Sequence, residues 1–174
     1  MRVSLLNKEK ILHNFYTTER LSADMSDGGG PFGFDIHMAL EVCYLIKEYN
    51  CDSIIETGTN MGDTTEFLAK CFPEIKVLSC ENNYDFYKNA KKRLNKYSNV
   101  TLYNLSSDNF IKHISVGFPF YFLDAHWNDY WPLADEILNI HKGVVCVHDF
   151  DINSLEYNFD QYNNVKNDIS FLKK

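Results

Sequence analysis

The stretch Ser53–Thr65, SIIETGTNMGDTT, decides the fold of this chain. Its apolar pair Ile54–Ile55 ends in the acid Glu56, and Gly58 and Gly62 follow before a helical pattern begins. Glycines let a backbone adopt positive φ values and approach a ligand closely. A helix that begins directly after such a turn supplies free N–H groups and a partial positive charge. The stretch therefore predicts a strand, a glycine turn and the N-terminus of a helix.

The glycine turn also predicts the kind of ligand. An acid at the end of a strand, such as Glu56, typically binds a ribose hydroxyl or an ammonium group, so the pattern indicates a site for a nucleoside-type cofactor. A dinucleotide site is the alternative. Its fingerprint is G-x-G-x-x-G, whereas Gly58 and Gly62 form G-x-x-x-G with an acid two residues before the first glycine. The spacing favours the first interpretation and leaves a nicotinamide cofactor open.

The rest of the chain alternates between strand and helix patterns. Strands are predicted near residues 53–56, 76–81, 100–104, 118–124 and 144–149, and helices near 4–18, 63–71, 84–96, 107–114, 131–140 and 164–173, with another after the candidate N-cap Asp35. Such alternation predicts a parallel sheet covered by helices on both faces. Ligands bind such sheets beyond the carboxyl ends of the strands. The polar residues at those ends are Glu56, Glu81, Ser106, Ser107, Asp124, His148 and Asp149.

Length and composition limit the class of protein. At 174 residues the chain fits a single domain, with an N-terminal part (1–34), a core (35–150) and a tail (151–174). The net charge of −7 argues against a nucleic-acid backbone as the main partner. No apolar run reaches membrane-spanning length, and the five scattered cysteines are typical of reduced core thiols. We therefore expect a cytoplasmic protein that binds neither nucleic acid nor a membrane.

Three segments resemble a known family. Glu56–Thr65 (ETGTNMGDTT) resembles motif I of the class I S-adenosylmethionine-dependent methyltransferases. More narrowly, it resembles the variant E-x-G-T-x-x-G-x-[ST]-T of cation-dependent O-methyltransferases, which include the catechol and macrolide sugar O-methyltransferases. Leu123–Trp127 (LDAHW) is similar to the metal-aspartate segment after their fourth strand, and Val147–Phe150 (VHDF) lies where they carry an acidic pair. The resemblance covers about residues 35–150.

The resemblance implies a fold and a cofactor. The fold would be α/β, with a doubly wound, Rossmann-like parallel sheet in the order 3-2-1-4-5 that is shortened after strand five. The cofactor would be S-adenosylmethionine, with Glu81 on its ribose hydroxyls, Asn82 or Asn83 beside its adenine, and Ser106 and Ser107 near the adenine amino group. The predicted cofactor-binding residues are Glu56, Gly58, Thr59, Asn60, Gly62, Thr64, Thr65, Glu81, Asn82, Ser106, Ser107 and Asp124.

The resemblance also implies a metal site and a catalytic base. Asp124, His148 and Asp149 would bind Mg²⁺ or Mn²⁺, since carboxylate oxygens suit the first ion and an added nitrogen favours softer ones. The catechol branch has a lysine base after its metal aspartate; here the candidate is His126, so His126 and Asp124 are the predicted catalytic residues. Structural interpretations stay open: Asp124 as a helix cap, His126 as part of an aromatic cover, and His148 as a hydrogen-bonded residue at a strand end.

The expected reaction is O-methylation of a small hydroxylated acceptor. Two alternatives keep the cofactor site and change the outcome. The first is an enzyme that cleaves S-adenosylmethionine as a lyase or hydrolase, and the second is a non-catalytic cofactor-binding module.

Two segments outside the core carry further predictions. The glycine-rich stretch Ser22–Gly33 is either a flexible connection or a lid that closes on the ligand. The sequence leaves room for one helix after strand five, which would make Val144–Val147 an edge strand. Because exposed edges invite pairing, we predict that the tail or a second subunit covers this strand, and we expect a homo-oligomer.

Overall fold

The structure is a computed structural model that describes residues 7–22, 29–126, 131–154, 159, 161–162 and 165–170. The described helices are α1 (Lys8–Thr17), α2 (Ile36–Glu48), α3 (Asp63–Cys71), α4 (Tyr84–Leu94), α5 (Ser107–His113) and α6 (Leu133–Leu138). The described strands are β1 (Ser53–Thr57), β2 (Lys76–Cys80), β3 (Val100–Tyr103), β4 (Pro119–Leu123), β5 (Val144–Val147), β6 (Gln161–Tyr162) and β7 (Val165–Lys166). None of the described helices is both long enough and apolar enough to span a bilayer.

Five parallel strands form one sheet in the order β3-β2-β1-β4-β5, which confirms the predicted topology. β1 lies at its centre and pairs over its whole length with β2 on one side and β4 on the other. Every residue of β1 and β4 is buried, because helices cover both faces of the sheet. The strand order changes direction between β1 and β4, and this is where sheets of this type open a crevice for ligands.

The two faces of the sheet carry separate apolar cores. Side chains alternate along a strand, so neighbouring residues of β1 enter opposite cores. Ile54 packs with Phe15 and Phe67, from α1 and α3, whereas Ile55 packs with Phe110 and Leu133, from α5 and α6. Burying each such side chain contributes roughly 1.5–3 kcal/mol. Helices therefore cover both faces, as the doubly wound fold requires.

Local signals account for two helix boundaries. Asp35 caps α2 as predicted, since its Oδ1 accepts hydrogen bonds from the backbone N–H groups of His37 (2.8 Å) and Met38 (3.1 Å). Helix α6 is shorter than the predicted span of 131–140, because Pro132 stands at its N-terminal boundary and Asn139 at its C-terminal one. Proline has no backbone N–H to donate, so it marks the start of a helix and not its interior.

The predicted helix over 164–173 is wrong in the part of the tail that the structure describes. Gln161 pairs with Lys166 and Tyr162 with Val165, so β6 and β7 form an antiparallel hairpin. Asparagine is a poor helix former and a frequent turn residue, and the tail is rich in it. The tail therefore returns on itself.

Strand β5 is an edge strand within the described residues, where its only partner is β4. Val145 is 38% exposed. The tail touches the chain just beyond β5, where Asp151 bridges to Asp168. The described part of the tail thus forms no strand pair with Val144–Val147, and coverage of this edge by a second subunit stays a prediction.

Candidate active site

A cleft of about 570 Å³ lies at the carboxyl ends of the parallel strands. Small-molecule sites typically enclose about 300–1,000 Å³, so the cleft suits a ligand of cofactor size. Its walls include the segments that follow β1, β2, β4 and β5 and the first residues of α3. The predicted site residues that line it are Gly58, Thr59, Asn60, Thr64, Glu81, Asn82, Ser107, Asp124, His126, His148 and Asp149.

The glycine turn forms one wall of the cleft. Gly58 has a φ of +82°, and a Cβ at this position would lie 2.6 Å from the carbonyl oxygen of Asp124. Only glycine lets the end of β1 pass this close to the end of β4. The N–H groups of Gly58 and Thr59 both donate to the carbonyl of Cys80, at 3.1 and 3.0 Å. Gly62, which precedes α3 with a φ of +83°, shapes the turn and does not line the cleft.

Glu81 lines the cleft opposite this turn and is 7% exposed. One of its carboxylate oxygens accepts the N–H of Asn60 at 2.7 Å, and the other accepts the N–H of Asn83 at 2.8 Å. Burial raises the pKa of Glu81, although these N–H groups oppose the rise. Each carboxylate oxygen has about two lone pairs, so both can accept a further hydrogen bond. Glu81 therefore joins the end of β2 to the glycine turn and still offers two acceptors to a ligand.

Glu56 lies beneath the cleft instead of on its wall. It is 1% exposed, and its Oε2 accepts hydrogen bonds from the hydroxyls of Ser79 (2.5 Å) and Thr65. Burial raises the pKa of Glu56 to about 8, so the neutral carboxyl prevails at pH 7. The Ser79 hydroxyl also lies 2.6 Å from that of Thr59, which belongs to the turn. Glu56 and Thr65 thus support the turn from below, and neither of the two lines the cleft.

Oδ1 of Asn60 is a buried polar atom on the cleft wall with no hydrogen-bond partner among the described residues. An unsatisfied buried polar atom costs roughly 1–3 kcal/mol, so a ligand that satisfies this atom recovers the cost. The hydroxyl of Ser107 also lines the cleft and hydrogen-bonds to Glu136. The neighbouring Ser106 lies off the cleft wall, and its hydroxyl accepts a hydrogen bond from the side chain of Asn109 at 2.7 Å.

His148 lies between the two acids that follow β4 and β5. Its Nδ1 is 2.9 Å from Oδ1 of Asp124 and 3.1 Å from Oδ2 of Asp149. Burial lowers the pKa of His148, but the two carboxylates outweigh this effect and raise the pKa to about 11. The ring therefore pairs with both acids in this structure. The role of His148 as a metal ligand stays a prediction.

A different histidine completes a group that fits a divalent ion. Asp124, His126 and Asp149 each offer one ligand atom, and these atoms all lie within 4.8 Å of one another. His126 is exposed and the two acids are half-buried, so the group is reachable from the cleft. Two carboxylate oxygens and one imidazole nitrogen suit Mn²⁺ or Zn²⁺ better than Mg²⁺. His126 thus offers a nitrogen ligand in addition to the one predicted at His148.

Asp63 is a site residue that sequence reasoning missed. It is 4% exposed, and its carboxylate accepts hydrogen bonds from the Ser22 hydroxyl (2.6 Å) and the Gly30 N–H (2.8 Å) and pairs with Arg93. An acid in the first turn of a helix was its only local signal. Its partners lie tens of residues away in the chain. Half of the predicted lid, residues 23–28, lies outside the described residues, so the lid stays a prediction.

Glu136 is a second buried acid that the sequence did not reveal. It lies on α6 and is 1% exposed. Burial raises its pKa to about 7, and the nearby hydroxyls of Ser107 and Thr57 moderate this rise. A glutamate on a short helix is usually a surface residue, so no local pattern indicates its burial.

Comparison with known proteins identifies the fold. No family model and no curated protein matches the sequence. The SAH-bound methyltransferase PaMTH1 of Podospora anserina matches the structure with a TM-score of 0.57 at 15% identity, over 81% of this chain and 62% of that one. Cofactor-bound Rv0187 from MTB matches with a TM-score of 0.54 at 17% identity, over 80% of this chain and 63% of that one. At such identities the likeness shows a shared Rossmann-like fold, and this chain spans less than two thirds of the length of either neighbour.

Proposed function

We propose that this chain is an S-adenosylmethionine-dependent methyltransferase. The observation that carries the proposal is the position of Glu81, whose buried carboxylate faces the cleft from the end of β2 and is held by the glycine turn. A carboxylate in this place can accept both hydroxyls of a ribose. The SAH-bound neighbour PaMTH1 shares the fold, which supports the same kind of ligand here.

The polar groups on the cleft wall indicate where the methionine and adenine parts of the cofactor would bind. The turn from Gly58 to Gly62 and the N-terminus of α3 would receive the methionine part, with Oδ1 of Asn60 accepting from its ammonium group. The hydroxyl of Ser107, which lines the cleft, would bind the adenine edge. In this pose a bound cofactor satisfies the unpaired Oδ1 of Asn60.

The acceptor side of the cleft carries Asp124, His126 and Asp149. We propose that a small hydroxylated molecule binds there and that its oxygen attacks the sulfonium methyl. A C–O bond forms, the C–S bond breaks, and SAH leaves. Because the sulfonium is already activated, these residues mainly align the oxygen for in-line displacement and receive its proton.

His126 can have one of two roles in this reaction, and they exclude each other. As a base, it takes the hydroxyl proton on a ring nitrogen. As a ligand, it holds a divalent ion together with Asp124 and Asp149, and the bound ion would lower the pKa of the acceptor hydroxyl. An assay in excess chelator separates the roles. Full activity identifies His126 as the base, whereas activity that returns only with added Mn²⁺ identifies it as a ligand.

The reaction type is tested by incubating the protein with S-adenosylmethionine alone. A methyltransferase binds the cofactor and leaves it intact until an acceptor is added, so SAH accumulates only with a panel of hydroxylated compounds. Breakdown without an acceptor would identify a lyase or hydrolase. Tight binding without turnover under any condition would identify a non-catalytic module.

A further inference from the structure

Asn167 is a buried residue of the tail whose side chain contacts the backbone behind the acceptor side. Asn167, which directly follows β7, is 1% exposed. Its side-chain nitrogen donates to two successive carbonyls, those of His148 (3.1 Å) and Asp149 (3.0 Å). An amide oxygen in the same place would face two carbonyl oxygens, so these two contacts also determine which way the amide group points.

The turn that Asn167 holds is irregular. β5 ends at Val147, and Asp149 adopts a φ of +51°, in the left-handed region that few residues other than glycine enter. The N–H of His148 still donates to Leu123 in the neighbouring strand (3.0 Å). The carbonyls of His148 and Asp149 instead turn towards the tail. A buried carbonyl without a donor is costly, so the amide of Asn167 stabilises this backbone conformation.

The backbone of the tail is itself fixed at this point. The N–H of Asp151 donates to the carbonyl of Asn167 at 2.6 Å, and the ammonium of Lys166 lies 3.0 Å from the carboxylate of Asp151. Asp151 is 6% exposed. The main chain of Asn167 is therefore fixed by Asp151, while its side chain binds the turn at His148 and Asp149.

We propose that Asn167 is a positioning residue for the acceptor side of the site. By fixing the carbonyls of His148 and Asp149, it keeps the Asp149 carboxylate beside Asp124 and His126, in the geometry that a divalent ion needs. This inference rests on the proposed function, and it means that the tail positions a residue of the site. Residues that orient metal ligands typically affect metal affinity about 10–100-fold when they are replaced.

Three variants test the proposal. Asn167→Asp is nearly isosteric but sets a carboxylate oxygen against the two carbonyls, and Asn167→Ala removes the donor without adding a charge. Asn153→Asp is the matched control, because it makes the same change on an exposed residue of the same tail. For each protein we would measure SAH binding by calorimetry, Mn²⁺ binding by electron paramagnetic resonance with SAH present, and the melting temperature.

The expected result is selective. Both Asn167 variants should bind Mn²⁺ at least about tenfold more weakly than the wild type, with SAH affinity unchanged, and Asn153→Asp should match the wild type in both. A purely structural role would lower the melting temperature of the Asn167 variants and leave the Mn²⁺ affinity of the folded protein unchanged, which would overturn the proposal. A wild type that binds SAH but no Mn²⁺ would also overturn it and leave the cofactor assignment intact. A wild type that binds no SAH would instead contradict the proposed function.

Discussion

Glu56 and Glu81 end neighbouring strands, and their surroundings give them different tasks. Glu56 accepts hydrogen bonds from the hydroxyls of Ser79 and Thr65 beneath the cleft, and burial raises its pKa to about 8. Glu81 meets backbone N–H groups at the edge of the cleft and keeps acceptor capacity for a ligand. The contrast shows that partners, more than residue type, determine which acid supports the site and which one binds.

The pH dependence of stability follows from the buried carboxyl of Glu56. In the folded protein the carboxyl of Glu56 keeps its proton up to about pH 8, whereas its usual pKa is 4.5. The protonated carboxyl therefore contributes fully to the free energy of unfolding below pH 4.5, and this contribution is lost as the pH rises towards 8. Between these values the loss is about 1.4 kcal/mol per pH unit. Glu56→Gln cannot titrate, so its free energy of unfolding should fall less than that of the wild type between pH 5.5 and 7.5 in urea titrations. Equal slopes would contradict the assignment; Glu48→Gln, at an exposed position, is the control.

The two glycines of the turn should differ in their tolerance of alanine. Both have a positive φ, which costs an alanine about 1–3 kcal/mol. At Gly58 the new Cβ would also meet the carbonyl oxygen of Asp124 at 2.6 Å, whereas at Gly62 it meets the flexible side chain of Leu94 at 3.2 Å. Gly58→Ala should therefore lower the free energy of unfolding more than Gly62→Ala does. Equal losses in chemical denaturation would show that the close approach of β1 and β4 is not rigid.

Among the elements, α3 joins the cleft to the N-terminal segment. Its first two residues line the cleft, and the first of them, Asp63, accepts hydrogen bonds from Ser22 and Gly30 and pairs with Arg93. The side chains of Asp63 and Arg93 are only 3% and 6% exposed. One helix start therefore fixes the N-terminal segment against the core.

Replacing this acid should loosen the N-terminal segment. Asp63→Asn keeps the size but leaves a buried guanidinium without one of its partners, and breaking a buried pair costs about 3 kcal/mol or more. We expect that loss in chemical denaturation, with faster hydrogen exchange in the peptide that covers residues 15–22. Asp85→Asn, at an exposed acid in the first turn of α4, should cost less than about 1 kcal/mol. If residues 15–22 exchanged as slowly in Asp63→Asn as in the wild type, contacts other than those of Asp63 would hold the N-terminal segment.

At the scale of the whole molecule, the sheet was predictable and several site contacts were not. The alternation of strands and helices and the polar rim follow from short-range patterns, such as the apolar run of β4 that ends in Asp124, whereas the strand order came from the resemblance to a known family. The burial of Glu56 depends on Ser79 in another strand, and the role of Asp63 depends on Ser22, Gly30 and Arg93. No local window contains these pairs. The tail hairpin was missed for a related reason, since its pairing competes with a weak helical pattern over the same residues.

The proposed function depends above all on the binding of the ribose of an adenosyl cofactor to Glu81, and calorimetry with SAH measures this binding. Glu81→Gln removes the charged acceptor, and a hydrogen bond to a charged group contributes about 1.5–3 kcal/mol. We predict a loss of affinity of at least about tenfold, with Glu48→Gln binding SAH as the wild type does. Undiminished SAH affinity in folded Glu81→Gln would contradict the account.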